Sequence, residues 1–145
     1  MALVRFLCLL GLCALVGCSP APPALTPVSG TITLEQKPLT GAQVKFIPDG
    51  ETKGHGGNGK TDENGKYEIV ANRQNNRKGL LPGAYRVMVT RPLRPDGTPP
   101  PPDVPQFESG ASESVPAPYS NGNDTPLKAI VDVNAKSYDF SLSKK

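Results

Sequence analysis

Eight residues, Gly54-His55-Gly56-Gly57-Asn58-Gly59-Lys60-Thr61, carry the spacing G-x-x-x-x-G-K-[ST]. In that pattern glycine amides cradle phosphates, the lysine reaches them, and the hydroxyl holds a metal ion. Such a loop must leave a strand and open a helix, whose N-terminal amides hold the anion. Here Asp62-Glu63-Asn64-Gly65 follows, which is a turn signal and sets two carboxylates beside the phosphate position. The stretch is therefore expected to be a flexible Gly-rich hairpin connection that binds no nucleotide. His55 is the only histidine. Zinc needs three or four ligands, so no metal site is expected around it. It also has no nucleophile at a readable spacing, so no catalytic residue and no enzymatic activity are assigned. Asp62, Glu63 and Asn64 lack the further ligands and the distant glutamate of a calcium loop. Arg73, Arg77 and Lys78 form a small basic loop, read as a solvated face able to touch anionic lipid or wall polymer.

The most reactive group is the Cys18 thiol. Arg5 precedes an apolar run of roughly ten residues, and Leu15-Val16-Gly17-Cys18 closes it with small side chains. This is the layout of a secretory signal. Leu-Val-Gly-Cys in that place resembles a bacterial lipobox. The resemblance implies diacylation of the Cys18 thiol, cleavage after Gly17, and acylation (palmitate or a similar chain) of the new amine. Other readings are an ordinary secretory signal with an incidental Cys, or an uncleaved anchor, for which the run is short. The lipobox predicts a protein tethered to the cell membrane or outer membrane, facing the periplasm or exterior. Ser19 after the cysteine resembles the outer-membrane sorting choice.

Cleavage after Gly17 would remove Cys8 and Cys13 and leave 128 of the 145 residues, with no free thiol for a disulfide or a Cys-based metal site. Losing Arg5 from 16 basic side chains leaves 15 against 13 acids, too even for a nucleic-acid surface. Trp is absent and aromatics make up 6% of the chain, which argues against a stacking platform for bases or sugars. The 17 prolines and 15 glycines exclude long helices.

The elements are accordingly strands. Residues 18–27 read as a lipidated, Pro-rich tether. Val28–Leu34 alternates with Val28, Ile32 and Leu34 on one face, and Ala42–Ile47 with Ala42, Val44 and Phe46. Lys66–Val70 turns Tyr67 and Ile69 inward, and Ala84–Thr90 turns Tyr85, Val87 and Val89 inward. Leu127–Val133 offers Leu127, Ala129, Val131 and Val133, then a turn at Asn134-Ala135-Lys136. Ser137–Leu142 offers Tyr138, Phe140 and Leu142. Residues 91–118 break the pattern with nine prolines. They read as a mobile insert rather than as a polyproline II arm laid along the domain, with order resuming near Pro118. The whole predicts an all-β, antiparallel Greek-key sandwich of about seven strands, with no case for a parallel sheet.

Four stretches then line up: Val28-Ser29-Gly30-Thr31-Ile32-Thr33-Leu34, Lys37-Pro38-Leu39-Thr40-Gly41-Ala42-Gln43-Val44, Thr61-Asp62-Glu63-Asn64-Gly65-Lys66-Tyr67, and Leu81-Pro82-Gly83-Ala84-Tyr85-Arg86-Val87. Together they resemble the carboxypeptidase regulatory-like domain, a transthyretin-like (prealbumin-like, Ig-like) sandwich, over residues 28–143. The tail from Pro118-Tyr119-Ser120 to Tyr138-Asp139-Phe140 resembles small bacterial lipoproteins that carry it. The resemblance implies a mostly non-catalytic accessory module. A hydroxyisourate hydrolase on the same scaffold would need several histidines and a Tyr-Arg-Gly-Ser-type tail, where this chain has one His and ends Ser143-Lys144-Lys145. A Lys–Asn isopeptide bond is not expected either, because the first strand carries no Lys. The expected function is a membrane-anchored, non-enzymatic envelope lipoprotein that binds or scaffolds a protein or polysaccharide and needs no cofactor. The alternative is a small-molecule or carbohydrate-binding module on the same fold.

Overall fold

The computed structural model describes residues 21–134 and 137–144. The expected signal segment 1–17, Cys18, the start of the expected tether and two residues of the expected 134–136 turn lie outside the described residues. Strands dominate: β1 (Ser29–Leu34), β2 (Lys37–Pro38), β3 (Gln43–Pro48), β4 (Gly57–Lys60), β5 (Lys66–Glu68), β6 (Val70–Ala71), β7 (Gly83–Thr90), β8 (Pro92–Leu93) and β9 (Ser112–Glu113). A single helical turn, α1 (Ala117–Ser120), precedes β10 (Lys128–Val131) and β11 (Phe140–Leu142).

Two sheets form the body. One is antiparallel throughout, in the order β10-β7-β3-β4-β6. In the other, β1 is flanked by β11 on one edge and by β2 and β5 on the other. The chain changes sheet at Ile69, between β5 and β6, and Ile69 is fully buried there. Period-2 alternation drives this arrangement. Val44 and Phe46 on β3 and Tyr85, Val87 and Val89 on β7 point into the core, while Gln43 and Lys45 point out. Phe46 is the hub of that core. Its ring centroid lies 6.2 Å from Tyr67, 6.0 Å from Tyr85 and 6.2 Å from Tyr138.

Each of those tyrosines brings a polar tip that must be satisfied. Tyr67 Oη donates to Tyr138 O at 2.6 Å and Tyr85 Oη to Leu81 O at 2.7 Å. Tyr138 Oη donates to Ile130 O at 3.1 Å. Burial pushes the Tyr67 hydroxyl far above the ordinary phenol value, and Asp139 and Tyr138 add to the effect. Burial raises Tyr85 as well. These groups stay protonated in the fold, whereas the unfolded chain ionises near pH 10. Above that pH, unfolding releases protons, so stability falls as pH rises. Tyr67 alone contributes up to about 1.4 kcal/mol per pH unit. Urea midpoints from pH 8 to 11.5 should be level to about pH 10 and then fall, less steeply in Tyr67→Phe. A level curve through pH 11.5 would show that the phenols ionise without leaving the core.

Four features differ from the sequence expectation. Gly57–Lys60 is not a flexible connection but strand β4, inside the five-stranded sheet between β3 and β6. Glycine is a poor strand former, so alternation cannot signal it. The absence of side chains is what admits the neighbouring backbone: a Cβ on Gly57 would lie 2.5 Å from Val70 O and 2.6 Å from Ile69 Cγ2. Second, β1 and β11 pair in parallel, with Ile32 opposite Phe140 and Leu34 opposite Leu142. Third, Val133 is 79% exposed rather than inward, because β10 stops at Val131 and a turn follows. Fourth, pairing inside 91–118 begins at once, since β8 and β9 form a ribbon. Glu113 Oε1 accepts from Arg91 N and Val115 N, both at 2.8 Å, and Arg91 Nε donates to Ser114 Oγ at 2.9 Å. Val115 joins the core at 3% exposure, three residues before the proline expected to mark the return of order.

The chain reversals set two poles. Glu35 and Gln36 both take positive φ, 50° and 64°, in the two-residue β1–β2 hairpin. Glu35 Oε1 accepts from Lys144 N at 2.7 Å, which ties the C-terminal segment to that hairpin. Asp62 Oδ1 accepts from Asn64 N and Lys66 N at 2.8 and 2.9 Å, with Gly65 at φ 72°. These turns and the Arg91 base of the Pro-rich arm lie at one pole. The N-terminal segment lies at the other, where Thr26 bridges Leu80. Strand β7 spans them, roughly 24 Å at the usual rise per residue.

Candidate functional site

The phosphate-loop spacing does not fold into a phosphate cradle. Gly54 and Gly56 turn at the N-terminal pole, with φ 96° and 66°. Lys60 ends β4 near the other pole, opposite Gln43, and a turn follows it. The Thr61 hydroxyl is buried and committed: it accepts from Ala42 N at 2.8 Å and donates to Leu39 O. It is turned into the fold at 4% exposure and offers no solvent-facing ligand to a metal–phosphate. Asp62 Oδ1 is likewise held by its own turn amides. Among the described residues no group of three or more His, Cys, Asp or Glu could hold a metal ion. The Thr125 hydroxyl is likewise buried and donates to Val87 O at 2.7 Å.

The most coherent polar feature is a cleft of about 480 Å³ at the N-terminal pole. Two loops and the N-terminal segment build it. The β3–β4 loop brings His55, the β6–β7 loop brings Arg73, Gln74 and Arg77, and Pro22 and Pro23 close one side. One backbone and one side-chain bond fix the two loops together: Asn72 N donates to Gly56 O at 2.9 Å, and Asn72 Nδ2 to His55 O at 3.1 Å. Within the second loop, Ala71 N donates to Arg77 O at 2.8 Å and Arg77 N to Gln74 O at 3.0 Å. Arg73, Asn75 and Asn76 take left-handed backbone angles, φ 57°, 50° and 57°. Asparagine tolerates that region, whereas for arginine it is uncommon. The resulting turn holds Arg73 exposed at the cleft.

The cations of this pole are unequally engaged. Lys78 Nζ pairs with Glu68 at 2.8 Å, between two largely exposed side chains, a contact worth little in stability. Arg86 Nε lies 3.4 Å from Asp49 Oδ1 without hydrogen-bond geometry, and its Nη1 donates to Gly122 O at 2.8 Å. Arg77 meets only the Gln74 amide oxygen, at 3.4 Å. Arg73, Lys53 and the His55 ring have no side-chain partner among the described residues. A shallow groove of about 690 Å³ adjoins the cleft, between 49–53 and 81–84, open to solvent.

Sequence reasoning singled out Arg73 and Arg77 as a basic loop and His55 as an isolated residue. Folding puts them in one cleft with Pro22 and Pro23. No sequence signal announces that, since the three segments are about 20 or more residues apart. Cys18, the one assigned modification site, lies outside the described residues. No helix among the described residues is long and apolar enough to cross a membrane. Set against family models, curated proteins and solved structures, the chain matches none.

Proposed function

We propose that this chain is a non-enzymatic lipoprotein of the bacterial cell envelope, anchored by lipid on Cys18, whose sandwich presents a Pro-rich arm to a partner. The fold we infer within the β-sandwich class is the carboxypeptidase regulatory-like, transthyretin-like one. One observation carries the reading. The N-terminal segment leaves one pole and the Pro-rich arm leaves the other, at Arg91 beside Thr40. A tether at Cys18 thus directs the arm away from the membrane. The arm is built for contact. A two-stranded base grips it, Pro99 to Pro102 stiffen its tip, and Phe107 stands 83% exposed. A proline run presents carbonyls in an extended form that loses little entropy on binding. Two acyl chains are enough to anchor a protein stably on a bilayer.

The test is crosslinking in the intact envelope of three chains: wild type, Cys18→Ala, and a variant with residues 99–107 replaced by Gly-Ser. A specific partner should be captured by wild type and lost in both variants. Capture unchanged by the arm replacement would remove the arm from the function. Capture unchanged in Cys18→Ala, with that chain still in the membrane fraction, would remove the lipid anchor.

A further inference from the structure

We propose that the pole carrying the N-terminal segment docks on anionic phospholipid, its His55–Arg73–Arg77 cleft taking a headgroup phosphate. The proposal rests on lipid anchoring at Cys18, argued above.

Chain length sets the distance. Four peptide units separate Cys18 from Pro22, so at full extension their Cα atoms are about 14 Å apart. Pro22 lines the cleft itself. A lipid on Cys18 therefore keeps the cleft within about 14 Å of the headgroup layer, less than two decay lengths of a surface potential that falls over roughly 8 Å at physiological salt. Charge complementarity follows from the bookkeeping of the two loops. Residues 49–56 and 72–82 carry Lys53, Arg73, Arg77 and Lys78 against Asp49 and Glu51. Lys78 is taken by Glu68 and Asp49 by Arg86, which leaves Lys53, Arg73 and Arg77 against Glu51 within these two loops. Asp132, at the same pole by register, accepts from Asn134 N at 2.6 Å.

The cleft also has the right form. Arginine's planar fork suits phosphate, and the Gln74 amide beside it supplies a neutral donor. Each basic side chain near an anionic leaflet adds roughly a factor of five in membrane engagement. The opposite pole would face away from the bilayer, so the two poles divide the labour between surface and partner.

The experiment uses the mature protein purified from membranes and reconstituted in vesicles of phosphatidylcholine alone or with phosphatidylglycerol. Intact mass first reports the lipid on Cys18. Amide exchange of peptides covering 72–81 is then compared between the two vesicle types. Exchange should be slower on anionic vesicles, by up to roughly 30-fold, the bias in docking expected for two cations at the surface. The protection should vanish in R73Q/R77Q and in high salt, while exchange in β3 and β7 stays unchanged. Equal exchange on both vesicle types overturns the proposal. So does equal protection by millimolar inorganic phosphate on neutral vesicles, which would make the cleft a site for free phosphate. A mass without lipid overturns the anchoring reading alone. Cosedimentation of that chain with the same vesicles then reads the cleft: anionic-dependent binding lost in R73Q/R77Q supports docking, and its absence overturns it.

Discussion

Phe46→Ala should cost about 3–5 kcal/mol, a large share of the stability of a domain this size. Phe46 is fully buried at the centre of the core, and three tyrosine rings pack on it from three directions. Those rings come from β5, β7 and the segment entering β11, so they represent both sheets. Removing the Phe46 ring leaves a cavity that the tyrosines are poorly placed to fill. Tyr67 is held by Tyr138 O and Tyr85 by Leu81 O, and swinging either ring inward would break its hydrogen bond. The site therefore collapses little, which places the cost toward the upper end of the range. Thermal melting followed by circular dichroism should show a midpoint lowered by about 10–25 °C. Phe46→Leu, which keeps most of the volume, should fall between the two. A loss under about 1 kcal/mol would mean that the aromatic cluster is not the hub of this fold.

The strands that sequence could reveal are those whose alternation is written in large side chains. Val44 and Phe46 on β3, and Tyr85, Val87 and Val89 on β7, show a two-residue period that needs no tertiary information. The turn at Asp62-Glu63-Asn64-Gly65 is legible for the same local reason, as its own side chain bonds its own amides. Three features are fixed by contacts far away in the chain and so leave no local trace. Strand β4 is glycine because another strand crosses it closely. The parallel mate of β1 lies 108 residues further on, as at Ile32 and Phe140. Val115 enters the core beside the clasp that Glu113 makes on the Arg91 and Val115 amides. The cleft divides in the same way. Its basic loop can be seen in the sequence, whereas its partnership with His55 and Pro22 is made by folding.

The glycines of the phosphate-loop spacing supply the sharpest separation of structure from binding. Gly57→Ala should destabilise by about 3 kcal/mol, the top of the usual range for overpacking. The backbone at Gly57 does not demand glycine, because its φ is not in the left-handed region. On conformational entropy alone, alanine there would stabilise by about 0.4–1 kcal/mol. Space decides otherwise. The added methyl would lie 2.5 Å from Val70 O, 2.6 Å from Ile69 Cγ2 and 2.8 Å from Leu80 Cδ2. Val70 belongs to β6, which is paired to β4 at Asn58 and at Gly57 with Ala71. Relief by moving β6 would break that pairing, and relief within the core would displace Ile69 and Leu80, both essentially inaccessible to solvent. Lys60→Ala removes only an exposed side chain at the strand end and should change stability by less than about 0.5 kcal/mol. A phosphate-binding loop would invert the pattern, with Lys60→Ala abolishing tight nucleotide binding and Gly57→Ala acting through the ligand. Urea denaturation of both variants, with a nucleotide titration of the wild type, discriminates the two. A stable Gly57→Ala protein together with Lys60-dependent nucleotide binding would overturn the structural assignment of this loop. Loss confined to Gly57→Ala, without nucleotide binding, identifies Gly57 as the space into which β6 and the side chains of Ile69 and Leu80 pack against β4.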